Sequence, residues 1–277
     1  MTTVSPNRSS SLWPRIITSI ILIPSALAAV YAGGWILAVW ASAAGLAMAR
    51  EWIRIVHRED SPGWRLALHA VAILASQVLL IFGRMDYALA SIFLAALLGN
   101  VLAMRQEERS IWTVMGILFI ALPCLAFSNL RMLTPFGLET VIWLLCIVWA
   151  TDSAAYLAGS TFGGPKLAPR ISPNKTWVGA ISGLGAGIAA GILLTQLTGF
   201  VARENYVAAC ALVSMLTQCG DLAESFLKRT FGVKDASDLI PGHGGALDRL
   251  DGMIVATSGV ALLVSIYGQS PVLWAVP

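Results

Sequence analysis

The chain has 277 residues, 57% of them hydrophobic and 12% charged, with a mean hydropathy of +0.76. An ordinary soluble domain carries roughly 25% charged residues, so a water-soluble enzyme is excluded and no nucleic-acid partner is expected. The apolar runs are too long and uniform for the short alternating strands of an outer-membrane barrel, which leaves an all-α integral membrane protein.

In chain order, residues 1–11 are polar, and Trp13, Pro14 and Arg15 mark an interfacial helix start. The span 16–31 shares features with a signal peptide, since Arg8 and Arg15 precede it and Ala26-Leu-Ala28 resembles a cleavage site. Every later segment is also membrane-like, so a retained first helix is the simpler reading. Gly33-Gly34 turns the chain, and further apolar spans follow at 35–49, 64–82, 87–104, 112–130, 139–156, 177–200, 206–219 and 252–267. That makes about nine transmembrane helices in a single polytopic membrane domain over 1–277, with N-terminal helices to 148 and a catalytic half at 149–277. Placing the 18 basic residues in alternate loops puts 15 on the side of the N-terminus and only Arg84, Arg131 and Arg203 on the other. The positive-inside rule then puts the N-terminus and the large polar segments in the cytoplasm, with the protein in the cytoplasmic (inner) membrane. Gly179, Gly183, Gly187 and Gly191 recur every fourth residue and form a smooth helix face. That face suits either a contact within one chain or a homodimer seam. The four cysteines are scattered without a CxxC pair and read as small apolar packing residues. His57 and His69, near a helix end among basic neighbours, read as interfacial.

Two polar segments interrupt this pattern on the same expected face. Residues 220–251 hold ten of the chain's 33 charged residues. At bilayer depth each would cost ~2.5 to 3.5 kcal/mol, on the order of 30 kcal/mol together, so the stretch reads as a water-reachable loop. If 221–230 is helical, Asp221, Ser225 and Arg229 share one face with Lys228 beside them. Asp248 and Asp251, three apart, share a face where the next helix begins. Acids interleaved with Arg and Lys fit metal-bridged phosphate binding, in which Mg²⁺ takes one or two carboxylates and the rest of its ligands from water and phosphate. His243, in a Pro-Gly-His-Gly-Gly turn, is either a phosphate contact, a general acid or a backbone-bonded turn residue. In the other segment, Asp152 sits near the end of an apolar span and needs a nearby cation. Gly163-Gly-Pro165-Lys166 and Ser172-Pro-Asn-Lys175-Thr176 read as turns whose N–H groups and lysines suit phosphate oxygens.

Ser225-Phe-Leu-Lys228-Arg229, Lys234-Asp235 and Pro241-Gly-His243-Gly-Gly-Ala-Leu-Asp248-Arg249-Leu-Asp251 together closely resemble the signature of the phosphatidate cytidylyltransferases, or CDP-diacylglycerol synthases. Trp149-Ala-Thr-Asp152 and Ser172-Pro-Asn-Lys175-Thr176 are similar to that family's upstream blocks. Val178 stands where the family usually has an acid, and Asn174 where a Lys is common. The resemblance implies that CTP and phosphatidate give CDP-diacylglycerol and pyrophosphate, with Mg²⁺ and a monovalent cation such as K⁺. It implies Asp221 and Asp248 as metal ligands, Asp251 and Asp152 as supporting acids, and Lys228 and Arg229 on phosphate groups. Ser225, Lys175, Lys166, Ser172, Lys234, His243 and Arg249 are the expected substrate contacts. The competing readings are a CTP-dependent lipid kinase of the polyprenol type and a transporter with a charged gate. No internal repeat supports the transporter.

Overall fold

The computed structural model describes residues 12–57, 62–106, 110–133, 135–198, 203–237 and 244–275. Over these residues the chain forms nine α-helices: α1 (Leu12–Ala32), α2 (Gly34–His57), α3 (Trp64–Ile81), α4 (Met85–Arg105), α5 (Ser110–Met132), α6 (Gly137–Phe162), α7 (Trp177–Thr198), α8 (Glu204–Thr230) and α9 (Leu247–Tyr267). A two-stranded antiparallel ribbon, β1 (Lys166–Ala168) and β2 (Ser172–Thr176), lies between α6 and α7, and a short 3₁₀ helix, Pro271–Ala275, follows α9. Helices α2 to α9 are each long and apolar enough to cross a membrane, and α1 contributes the shorter apolar stretch Thr18–Ala32. Each of the nine expected spans therefore corresponds to a helix, and the chain is an integral membrane protein. Ala26 and Ala28 lie inside the continuous helix α1.

Large apolar side chains such as Ile20, Leu97 and Leu197 stay exposed on the outer surface, as a lipid-facing bundle requires. The interior divides into two clusters. One joins Met48 and Trp52 of α2 to Ile73, Ile92, Ile117 and Ile120 of α3, α4 and α5. It also takes in Leu227 of α8 and Leu247 and Ile254 of α9, so the polar ends of the last two helices dock on the N-terminal bundle. The second gathers Val30, Leu130, Trp143, Ile147, Tyr206, Val213 and Val260 around α6 and α8. His69, near the start of α3, is not exposed there. It is buried in α3 with Nδ1 2.8 Å from the Arg65 carbonyl oxygen.

The glycine stripe of α7 is covered within the chain. A Cβ at Gly183 would sit 2.9 Å from the Thr151 carbonyl oxygen, and one at Gly187 would sit 2.5 Å from Thr151 Oγ1 and 2.9 Å from Ser214. The bare faces let α7 lie against α6 and α8 closely enough for Thr151 to donate to Ser214 Oγ at 2.8 Å, and for the Tyr206 hydroxyl to reach the Gly191 carbonyl at 2.8 Å. A Cβ at Gly185, by contrast, meets nothing within 4 Å. Gly187→Leu is therefore expected to destabilise the fold by roughly 1–3 kcal/mol through overpacking, while Gly185→Leu leaves it unchanged. Thermal unfolding in detergent measures the difference between the two.

Candidate active site

The charged residues gather at the end of the bundle where α2, α6 and α8 finish and α9 begins. Here the structure shortens the loop drawn over 220–251 and bears out the conditional helix over 221–230 and the helix start at Asp248. The segment 220–230 is the helical continuation of α8, and α9 already starts at Leu247. Hydropathy ends at Cys219, but Leu, Glu, Lys and Arg are good helix formers, so the backbone keeps its hydrogen bonds past the apolar limit. Asp152 likewise lies inside α6, which runs to Phe162.

The second correction concerns Ser172-Pro-Asn-Lys-Thr, which is strand β2 and not a turn. Gly163 and Gly164, with φ of 62° and 100°, reverse the chain after α6 in a conformation other residues rarely adopt. The chain then pairs Lys166 with Thr176 and Ala168 with Ser172. Both strands of a two-stranded ribbon are edges, so Pro173 is tolerated. Thr176 ends the ribbon and caps α7, its Oγ1 accepting the Gly179 N–H at 3.1 Å. Val178 packs over Gly164, whose Cβ, if present, would lie 3.4 Å from it.

Two groups of charge result. In the first, Lys175 of β2 pairs with Asp221 of α8 at 2.7 Å. Asp152 and Asp251 both lie close enough to Asp221 and Lys175 for direct charge interaction, so the cation expected near Asp152 is Lys175. The backbones of α8 and α9 touch at this level. A Cβ at Gly220 would collide with the Asp251 carbonyl, and one at Gly252 would sit 2.8 Å from Thr217. In the second group, Lys228 lies 2.7 Å from both Glu224 and Asp248. The other Asp248 oxygen accepts N–H groups from Gly245 at 2.9 Å and Ala236 at 3.2 Å. The structure thus brings Asp152, Asp221 and Asp251 together and holds Asp248 with Lys228. Among the described residues, no three His, Cys, Asp or Glu side chains already stand at metal-holding distance.

The remaining candidates surround these groups. Ser225 is half-buried on the Asp221 face of α8. Arg229 Nε donates to the Ile171 carbonyl at 3.4 Å, joining the end of α8 to the ribbon. Ser172 opens β2, while Lys166 on β1 and Lys234 just past α8 are exposed. His243 lies outside the described residues. Arg249, exposed in the first turn of α9, stands with Asp152 at one end of an apolar cavity of about 130 Å³. Its walls run through Ala26 and Val30 of α1, Trp40, Ala44 and Met48 of α2, Phe127 of α5 and Met253 of α9.

The amino-acid sequence has relatives among known proteins. A family model described as "Cytidylyltransferase family" matches residues 13–267. The chain belongs to the cytidylyltransferase family. Among its relatives, a Brucella abortus (biovar 1, strain 9-941) protein named phosphatidate cytidylyltransferase is 40% identical over 268 residues, covering 96% of this chain and 98% of the relative. One of the same name from Pseudomonas aeruginosa is 33% identical over 264 residues, covering 90% of this chain and 96% of the relative. A Rickettsia felis protein, again of that name, is 38% identical over 168 residues, covering 56% of this chain and 70% of the relative.

Two acids of this cytidylyltransferase escaped the sequence reading. Glu224 carried no role there, yet it is buried, with only 2% of its side chain exposed, and grips Lys228 one turn along α8. Glu51 of α2, in the N-terminal half of the chain, accepts hydrogen bonds from Ser237, Ala246 and Leu247. The available signal was an acid in the last turns of an apolar span. Because Lys228 answers two carboxylates, Lys228→Met leaves both facing each other and is expected to cost about 3–5 kcal/mol. The double variant Lys228→Met/Glu224→Gln should recover part of that stability in detergent melts without recovering activity.

Proposed function

We propose that this protein transfers the cytidylyl group of CTP to phosphatidate, forming CDP-diacylglycerol and pyrophosphate. Family membership and relatives named phosphatidate cytidylyltransferase support the reading. The observation that carries it is the meeting of two environments at Asp152 and Arg249. These residues bound both the charged end of the bundle and an apolar slot able to take an acyl chain. The charged end faces the cytoplasm, where CTP is found; the 15-to-3 distribution of basic residues supports that orientation.

The phosphatidate headgroup is already anionic, so the reaction needs no strong base. One of its oxygens attacks the α-phosphorus of CTP, and the bond to the bridging oxygen breaks, leaving with its electron pair as pyrophosphate. The obstacle is the approach of two polyanions. Lys228, held in place by Glu224 and Asp248, and Arg229, braced on the ribbon, are the cations for the triphosphate. Lys175, Lys166, Ser172 and Ser225 line the approach from the ribbon side and Lys234 from just past α8, while His243 is a substrate contact on the strength of the sequence signature alone. Arg249, at the mouth of the slot, takes the lipid phosphate. The donor set fits Mg²⁺, since Asp221, Asp251 and Asp152 offer hard carboxylate oxygens and the ion needs only one or two of them. Asp248, one turn before Asp251, is the companion acid. When bound, Mg²⁺ supplies charge neutralisation across the phosphates.

Purified protein with Mg²⁺ and phosphatidate is expected to incorporate labelled CTP into lipid and release pyrophosphate. Asp221→Asn and Asp248→Asn should each lower the rate roughly 100-fold or more, as loss of electrostatic stabilisation does. Undiminished turnover would remove these acids from the site, and release of CDP with a phosphorylated alcohol would mark a lipid kinase instead. Filling the slot with Ala44→Phe should raise KM for long-chain phosphatidate and leave a short-chain, water-soluble analogue unaffected.

A further inference from the structure

The N-terminus of α9 lacks a cap of its own. Its N-cap residue is Ala246, which has no side chain to accept a hydrogen bond. The first N–H groups of a helix need acceptors, and here the acceptor comes from α2, 195 residues away. Glu51 is 2% exposed. Its Oε1 accepts the Ala246 N–H at 2.9 Å and its Oε2 the Leu247 N–H at 2.8 Å. Oε1 also accepts the Ser237 hydroxyl at 2.5 Å. A Cβ at Gly245 would sit 2.6 Å from Oε2, so the carboxylate fills the space that a side chain at 245 would occupy.

These contacts repeat, one residue along, those of Asp248. Asp248 joins Ala236 to Gly245, and Glu51 joins Ser237 to Ala246. Two carboxylates thus clasp the neck of the same loop, one from inside the charged site and one from the opposite bundle. Asp248 is the residue directly after Leu247, so the place of its carboxylate, and of the Lys228 it holds, follows from the register in which α9 starts.

We propose that Glu51 is a positioning residue for cytidylyl transfer: it caps α9 in trans and fixes Asp248 and Lys228 in the arrangement that receives the triphosphate, without touching substrate. The proposal rests on the cytidylyltransferase reading of the site. Loss of charge-assisted bonds in Glu51→Ala should raise KM for CTP roughly tenfold, while KM for phosphatidate stays within about twofold. Glu51→Gln, which keeps acceptors for Ser237 and Ala246 but turns an NH₂ toward Leu247 N–H, should fall between Glu51→Ala and wild type. A role in general stability alone would lower the folded fraction and leave KM for CTP unchanged; that outcome overturns the proposal.

Hydrogen exchange of the full-length protein in detergent gives a readout independent of turnover. Amides 246 and 247 should exchange faster in Glu51→Ala, with those of α3 to α5 unaltered, and equal protection at 246 and 247 would refute the cap. If Glu51→Ala does not fold, Ser237→Ala, which removes one arm, and Gly245→Ala, which presses on the carboxylate, must show the same rise in KM for CTP, smaller in degree. Wild-type protein inactive with CTP and phosphatidate would defeat the functional reading, and the exchange data would still decide whether Glu51 caps α9.

Discussion

A carboxylate that loses water on folding must be met by a cation or by a set of N–H groups, because its desolvation is otherwise uncompensated. That requirement arranges the whole polar end of this molecule. Asp221 is met by Lys175 from the ribbon, Glu224 and Asp248 by Lys228, and Glu51 by the start of α9. Apart from Glu224–Lys228, which lies within α8, these pairings join separate elements, so satisfying the charges also builds the site. The apolar helices supply the walls, but the ion pairs decide how the ends of α8, α9 and the ribbon stand relative to one another.

The same pairings place chemistry at a boundary. A polyanionic nucleotide and an acidic lipid repel each other and prefer different solvents. The structure offers fixed positive charge on α8 and the ribbon, and an apolar slot whose head is bounded by Asp152 and Arg249. Positive side chains held by neighbouring acids need not reorganise when a phosphate arrives, which is the condition under which such groups lower a barrier most.

Much of this was legible in the sequence. The nine spans followed from apolar length alone, and the charged blocks around Asp152, Asp221 and Asp248 stood out because charge is costly in such a chain. The resemblance of those blocks to the cytidylyltransferases also agrees with the family shown by the matches over the whole chain. What hydropathy could not mark was where helices end, since α8 carries its charged residues as a continuing helix to Thr230. Ribbon pairing was hidden as well: Ser172-Pro-Asn-Lys-Thr has the composition of a turn, and only the reversal at Gly163 and Gly164 lets it pair. Glu51 was missed because its partners, the Ser237 hydroxyl and two backbone N–H groups, lie 186 to 196 residues away, and such partners leave no trace in local pattern.

The borrowed cap carries a consequence for how the chain can vary. If the acid at 51 were lost, α9 could recover an acceptor by placing Ser, Thr, Asp or Asn at 246, the ordinary local solution. Position 245 would then be relieved of its need for glycine, because the carboxylate that crowds it would be gone. Identities at 51, 245 and 246 are thus tied into one unit of inheritance that spans both halves of the chain.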